Sequence, residues 1–239
     1  MEWSEQKDKN YHDLQWVKEK GLIDYVEESC GTGDSFIELG CGTGVLLERI
    51  SKNFKRCVGI DPSTSLLERA PKIENVEYQA KSLEEIEYSE EFDTVVLRNT
   101  LHHVADPEYA VRVAHRALRP GGRLVVCEGV PPSSRVQGFY ENLFRFFDDR
   151  HILTEGDLIA MFRLARFEKV SLMPYFMENI DLVDWLNKVS SSVYIAQRAL
   201  EMHRKGNEHF KNVYEVSDQN GNYTMTWRFV ILTGVKVGA

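Results

Sequence analysis

The segment Phe36-Ile37-Glu38-Leu39-Gly40-Cys41-Gly42-Thr43-Gly44 constrains the fold more than any other part of the chain. A short apolar run leads into three glycines spaced two apart, and helical periodicity begins at Val45. Glycines allow a tight turn and let a ligand approach the backbone with no Cβ in the way. The start of the following helix adds unpaired N–H groups and a partial positive charge. A strand, a glycine turn and a helix in that order place a binding crevice at the carboxyl end of an open α/β sheet.

The surrounding pattern agrees. Strands are expected at 35–39, 57–60, 76–79, 92–97 and 123–130, with helices at 45–54, 63–70 and 107–118. Such alternation implies right-handed βαβ units and a parallel sheet. Further on, helices are expected at 136–147 and 154–165, a strand at 169–173, one long or broken helix at 181–203 and a final strand at 224–236. No helical pattern joins the Asn220-Gly221 turn to that last strand, which is therefore expected to run antiparallel to the rest. The expected fold is one α/β domain: a doubly wound, seven-stranded, mostly parallel sheet with an antiparallel last strand and helical lid insertions. Its expected parts are an N-terminal helical cap at about 1–30, a nucleotide-binding core at about 31–130, and lid insertions at about 131–153 and 178–222.

Composition narrows the function classes. The 239 residues are 43% hydrophobic and 28% charged, enough for a full-sized core. A net charge of −8 argues against a protein that tracks nucleic-acid phosphates. Cys30, Cys41, Cys57 and Cys127 form no C-x-x-C pair and fit no zinc framework, so no metal is expected. Buried free thiols are the simpler reading, and they suit a reducing cytoplasm. The N-terminus is polar, without the apolar stretch of a signal peptide. No apolar run approaches the ~18 residues of a stable membrane span.

The glycine spacing departs from the dinucleotide fingerprint, because Val45 stands where a third glycine would. That counts against a nicotinamide or flavin cofactor, as does the lack of a Tyr-x-x-x-Lys pair. Asp61 closes the second strand, 21 residues beyond Gly40. An acid there can accept hydrogen bonds from both hydroxyls of a ribose, or it can cap the helix that follows. Glu38 lies in the first strand and can face an ammonium group, or it can be paired within the fold. His102 and His103 follow the fourth strand. Either can act as a general base near neutrality, and the alternative is that both pack and hydrogen-bond their loop.

Glu38-Leu39-Gly40-Cys41-Gly42-Thr43-Gly44 resembles the first motif of Rossmann-fold (class I) S-adenosylmethionine (SAM)-dependent methyltransferases. Asp61 matches their acidic ribose ligand, and Lys81-Ser82-Leu83 falls where they contact adenine, although Lys81 stands where an acid is usual. Leu97-Arg98-Asn99 resembles ubiquinone/menaquinone C-methyltransferases. Leu101-His102-His103-Val104 and Leu118-Arg119-Pro120-Gly121-Gly122-Arg123-Leu124 are similar to the type 11 small-molecule methyltransferases. The resemblance spans 36–130 and implies SAM as cofactor and S-adenosylhomocysteine as product. It implies that Glu38, Gly40, Cys41, Gly42, Gly44, Asp61, Pro62, Ser82, Leu83, Arg98 and Asn99 surround the cofactor. The activity implied is methyl transfer to oxygen, nitrogen or carbon of a small molecule. A SAM-binding protein without transfer activity is the alternative, and a nicotinamide-dependent reductase a more distant one.

Selectivity for the acceptor is expected outside the nucleotide half. On a helix over 136–147, Val136, Phe139, Tyr140, Leu143, Phe144, Phe146 and Phe147 cover an arc of roughly 160°. Packing on one neighbour needs nearer ~100°. The excess implies a second contact, either a pocket wall or a partner subunit, which leaves a homodimer open. With the apolar stripe of 181–203, Tyr140 and Phe144 are expected to join Tyr11 and Trp16 around an apolar, aromatic acceptor. Arg135, Arg150 and Arg228 are candidates for an anionic group on it, although isolated arginines are commonly surface residues.

Overall fold

The computed structural model describes residues 10–145, 150–219 and 221–238. The first nine residues, Phe146 and Phe147 of the expected 136–147 helix, and Asn220 of the expected turn lie outside them. Two short 3-10 turns, Tyr11–Asp13 and Gln15–Val17, lead into α1 (Lys20–Cys30). The chain then runs β1 (Gly33–Leu39), α2 (Val45–Ile50), β2 (Phe54–Asp61), α3 (Thr64–Leu67), β3 (Val76–Ala80), β4 (Phe92–Arg98), α4 (Pro107–Ala117) and β5 (Leu118–Gly129). Next come α5 (Gln137–Phe144), α6 (Glu155–Leu164), β6 (Phe167–Asp181), α7 (Leu182–Val189), α8 (Val193–Arg204), α9 (Glu208–Val213), β7 (Ser217–Gln219) and β8 (Asn222–Lys236).

The main sheet has the order β3-β2-β1-β4-β5-β8-β6, with β7 pairing to β8. The pairs among β1 to β5 are parallel, and β8 is antiparallel to both β5 and β6. The mostly parallel sheet and the reversed last strand are as expected. The strand number is not: the sheet has eight strands rather than seven. The extra one, β7, forms a hairpin with β8 through Gly221, whose φ of +84° suits a tight turn. Three polar residues, Ser217-Asp218-Gln219, carry no alternating pattern to announce a strand. β6 is also longer than the expected 169–173. It is an edge strand with register shifts at Glu168/Ser171 and Met177/Ile180, beside Lys169 and Asn179 at positive φ. Those irregularities interrupt the period of two on which the expectation rests.

Both faces of the sheet are covered. Phe36 and Ile231 point into one cluster with Leu22 of α1, Leu46 of α2, Tyr140 of α5 and Leu182 of α7. Ile37, Leu39 and Val230 point into a second cluster with Ala110 of α4 and Leu158 of α6. Residues 35–39 of β1 are therefore all buried, which is why the strand reads as a continuous apolar run. The expected 181–203 helix is broken in two. Asp181 caps α7, accepting from the Asp184 N–H. Ser192, last of three consecutive serines, caps α8 by accepting from the Ile195 N–H. Asn207 caps α9, which the sequence pattern did not announce.

Candidate active site

The carboxyl ends of β1, β2, β4 and β5 lie side by side and carry Glu38, Asp61, Arg98 and Glu128. The glycine turn closes over them. The N–H groups of Gly40 and Cys41 both donate to the Ile60 carbonyl, at 2.7 and 2.9 Å. Gly40 has φ +79°, and a Cβ there would collide with the Thr100 side chain. Gly42 has φ +54°, and a Cβ there would stand 2.9 Å from the Tyr11 hydroxyl. Asp61 supports the turn directly: its Oδ2 accepts from the Gly42 N–H at 2.8 Å and its Oδ1 from the Ser63 N–H at 2.9 Å.

Beneath the turn, the side chains of Glu38 and Arg98 are buried beside each other. Glu38 Oε1 lies 3.8 Å from Arg98 Nε, too long for a hydrogen bond, and the two side chains are 1% and 2% exposed. Burial pushes the Glu38 carboxyl up to about 8, Arg98 pulls it down, and Asp61 adds to the rise. Glu38 Oε2 and the Nε and Nη1 of Arg98 have no hydrogen-bond partner among the described residues. Buried polar groups are ordinarily satisfied, so an acceptor and two donors left open side by side mark a place for a ligand.

A second constellation lies at the end of β5. Glu128 is fully buried, and its Oε1 accepts from the N–H groups of Thr100 and Leu101 at 2.8 and 2.6 Å. Its Oε2 lies 2.6 Å from His102 Nδ1. An ionised carboxylate can only accept, so Nδ1 donates and the lone pair of His102 is left on Nε2. His103 packs beside it, the ring centres 4.1 Å apart. Asn99 is held at φ +52°, its N–H donating to the Cys127 carbonyl at 2.7 Å, while its buried Nδ2 has no partner among the described residues.

Asn99, His102 and His103 open onto a cavity of about 150 Å³. Trp16, Tyr140, Phe144, Trp185, Trp227 and Phe229 form its aromatic walls, and Arg150, Lys188 and Arg228 also line it. Lys188 Nζ donates to the Asp13 carbonyl, and Asn10 Nδ2 donates to the Lys188 carbonyl, both at 3.0 Å, so α7 and the N-terminal segment are fastened together over the cavity. Two aromatic residues of α5 pack inside the chain. Phe139 and Tyr140 pack on Phe210 of α9, and Tyr140 also packs on Tyr214.

Of the sequence candidates, Glu38, Gly40, Gly42, Gly44, Asp61 and Arg98 come together around the glycine turn. Cys41 belongs to the same turn, but burial drives its thiol well above the ordinary range and makes it inert. Pro62 is exposed at the end of β2, and Ser82 and Leu83 lie half-buried just beyond β3. Trp16, Tyr140 and Phe144 line the cavity. Tyr11 is not on its wall; it covers the glycine turn and meets Trp16 edge-to-face, with ring centres 5.6 Å apart. Arg150 and Arg228 reach the cavity, whereas Arg135 is exposed. The sequence reading missed Glu128. A carboxylate ending the apolar run Val125-Val126-Cys127 was the available signal.

The fold is that of class I, Rossmann-like methyltransferases. Residues 37–126 match the family described as a methyltransferase domain. Over 126 residues the chain is 32% identical to the ubiquinone biosynthesis O-methyltransferase of Alkalilimnicola ehrlichii, covering 49% of each protein. It is 31% identical over 124 residues to the enzyme of the same name from Pseudomonas fluorescens, covering 48% of this chain and 52% of that one. The chain thus spans about half the length of the curated relatives it matches. The structure is similar to the YcgJ protein from Bacillus subtilis (TM-score 0.81, 19% identity, 92% of this chain and 100% of that one). It is also similar to a protein from Bacillus halodurans described as a putative methyltransferase (TM-score 0.79, 18% identity, 91% and 99%). Among the described residues, no helix is long and apolar enough to cross a membrane.

Proposed function

We propose that the protein binds SAM in the crevice under the glycine turn and methylates a hydroxyl group of a small aromatic acceptor held in the adjoining cavity. The observation that carries this reading is His102, fixed by buried Glu128 with its Nε2 free to take a proton beside an aromatic-walled cavity.

The residues present fit the cofactor. Its amino-acid end carries an ammonium and a carboxylate, which match the open Glu38 Oε2 and the open Arg98 donors. Asp61 ends β2 beside the turn, and a carboxylate there can accept from a ribose hydroxyl. Ser82 and Leu83 stand beyond β3 on the adenine side. When bound, SAM supplies a methyl group on a sulfonium whose sulfur keeps the C–S electron pair and loses its charge.

The chain's own task is to position and to move one proton. Tyr140, Phe144 and Trp185 hold the acceptor ring, and Asn99 Nδ2 offers a donor to the acceptor oxygen. His102 Nε2 takes the hydroxyl proton, Glu128 stabilises the resulting imidazolium, and the freed oxygen lone pair forms the new O–C bond. Holding donor and acceptor in line contributes on the order of 7–11 kcal/mol in the best cases. Relatives named as O-methyltransferases support a hydroxyl acceptor, and a small molecule suits both the cavity and the net charge of −8. Phe139 and Tyr140 of α5 pack on Phe210 and Tyr214 of the same chain, which supports a place for α5 in a lid. Four buried free cysteines support a reducing compartment such as the cytoplasm.

The test is release of S-adenosylhomocysteine from SAM with a panel of phenols, quinols, amines and carboxylic acids. Turnover confined to phenols or quinols supports the reading. Tight SAM binding with no turnover of any acceptor would instead indicate a SAM-binding protein without transfer activity.

A further inference from the structure

The chain has 37 acidic and 29 basic residues, yet among the described residues that line the cavity there is no carboxylate. Its ionic lining among the described residues is Arg150, Lys188 and Arg228, with His102, His103 and His151. The three cations are not equivalent. Lys188 is engaged by Asp184 at 2.6 Å and by the Asp13 carbonyl, so it serves to fasten the lid. Arg150 lies over the Phe144 ring, 4.2 Å from its centre, which spreads the guanidinium along the cavity wall. Arg228 is held by Glu155, with Nη2 to Oε2 at 2.6 Å, while its Nε is buried and has no hydrogen-bond partner among the described residues.

Glu155 therefore orients Arg228 much as Glu128 orients His102. In each case a carboxylate outside the lining holds a residue of the cavity wall. The strand register relates the two. Glu128 pairs with Val230 across β5 and β8, and Arg228 lies two residues further along β8, its carbonyl accepting from Val130 at 2.9 Å. Two residues of strand span ~7 Å, close to the length of one benzene ring with a substituent at each end. A guanidinium with an open Nε–H matches an anionic oxygen better than a neutral one, because its fork pairs with carboxylates.

We propose that the acceptor is an aryl acid, with its carboxylate on Arg228 beside Arg150 and its hydroxyl on His102. The proposal rests on the methyl-transfer reading of the same cavity, but anion binding can be measured without turnover. Trp16, Trp185 and Trp227 line the cavity, so binding is read from quenching of tryptophan fluorescence with S-adenosylhomocysteine present. The probes are hydroxybenzoate, hydroxycinnamate and hydroxynaphthoate, each against its uncharged carboxamide, in the full chain. For at least one pair the acid binds at least ~10-fold tighter than the amide, and the preference shrinks with added salt. Arg228→Gln abolishes the preference, and Arg228→Lys keeps part of it. Glu155→Gln, which removes the competing carboxylate, strengthens it. Equal binding of acid and amide in all three pairs, no binding of any probe, or an unchanged preference in a folded Arg228→Gln protein would overturn the anion site. An acid preference without any turnover would leave the anion site standing and overturn the transfer reading. Equal turnover of acids and amides would do the reverse.

Discussion

Glu128 and His102 are 26 residues apart in sequence and 2.6 Å apart in space, and the carboxylate decides which imidazole nitrogen faces the cavity. If Nε2 takes the acceptor proton, His102→Ala lowers kcat by at least ~100-fold and leaves SAM affinity within a few-fold. Glu128→Gln keeps an acceptor for the Thr100 and Leu101 N–H groups but releases the tautomer, and lowers kcat by ~10-fold or more. Steady-state kinetics beside calorimetry checks both. A loss below tenfold at His102 and at His103 would return these histidines to a packing role.

Glu38 gives a pH-dependent prediction. Its folded value, about 8, lies above the ordinary 4.5. The folded state thus holds a proton that the unfolded chain has lost, and the free protein is destabilised as pH rises through that window. Pairing with an ammonium requires the ionised form. SAM binding should therefore release a proton and tighten over about pH 5.5–7, below the range in which an α-amino group itself titrates. Calorimetry in two buffers of different ionisation heat measures that release. In Glu38→Gln the release should vanish and affinity should fall ten- to a hundredfold, for ~1.5–3 kcal/mol.

Asp61 holds the Gly42 N–H as well as the proposed ribose site. Asp61→Ala should weaken SAM binding on the order of ten- to a hundredfold and lower the Tm of the free protein slightly. Asp61→Asn, which keeps one acceptor oxygen, should fall between. Unchanged affinity in a folded Asp61→Ala protein would refute the ribose role.

His203 is fully buried, donates from Nδ1 to the Ala199 carbonyl at 2.7 Å, and packs on Phe139 and Tyr140. Burial lowers its value from 6.5 to about 4. The unfolded chain binds the proton first, so stability is lost as pH falls from ~6.5 towards ~4, by on the order of 3 kcal/mol in full. His203→Leu should shrink the drop in Tm between pH 7 and pH 5. An acid limb as steep as that of the parent protein would contradict this.

Much of the crevice under the glycine turn was legible in the sequence because its parts are local. Gly40 and Gly42 adopt positive φ within one turn, and Asp61 ends the neighbouring strand, so composition and spacing within 36–61 suffice to predict them. The parallel core follows from the same local periodicity. The sequence pattern did not reveal β7, which is too short and polar to show a period, or the full length of β6, where two irregularities interrupt it.

The acceptor side was decided by tertiary structure. Tyr140, Phe144 and Trp16 could be proposed from aromatic content, but periodicity does not say which cavity an aromatic face meets. Tyr11 was expected beside them and instead covers Gly42, because the N-terminal turns direct it onto the glycine turn. The pairing of Glu128 with His102 and of Glu155 with Arg228 depends on which strand and helix ends become neighbours. A local pattern fixes the turn that a backbone can make, whereas the partner of a buried charge is fixed only when distant segments pack and exclude water from both.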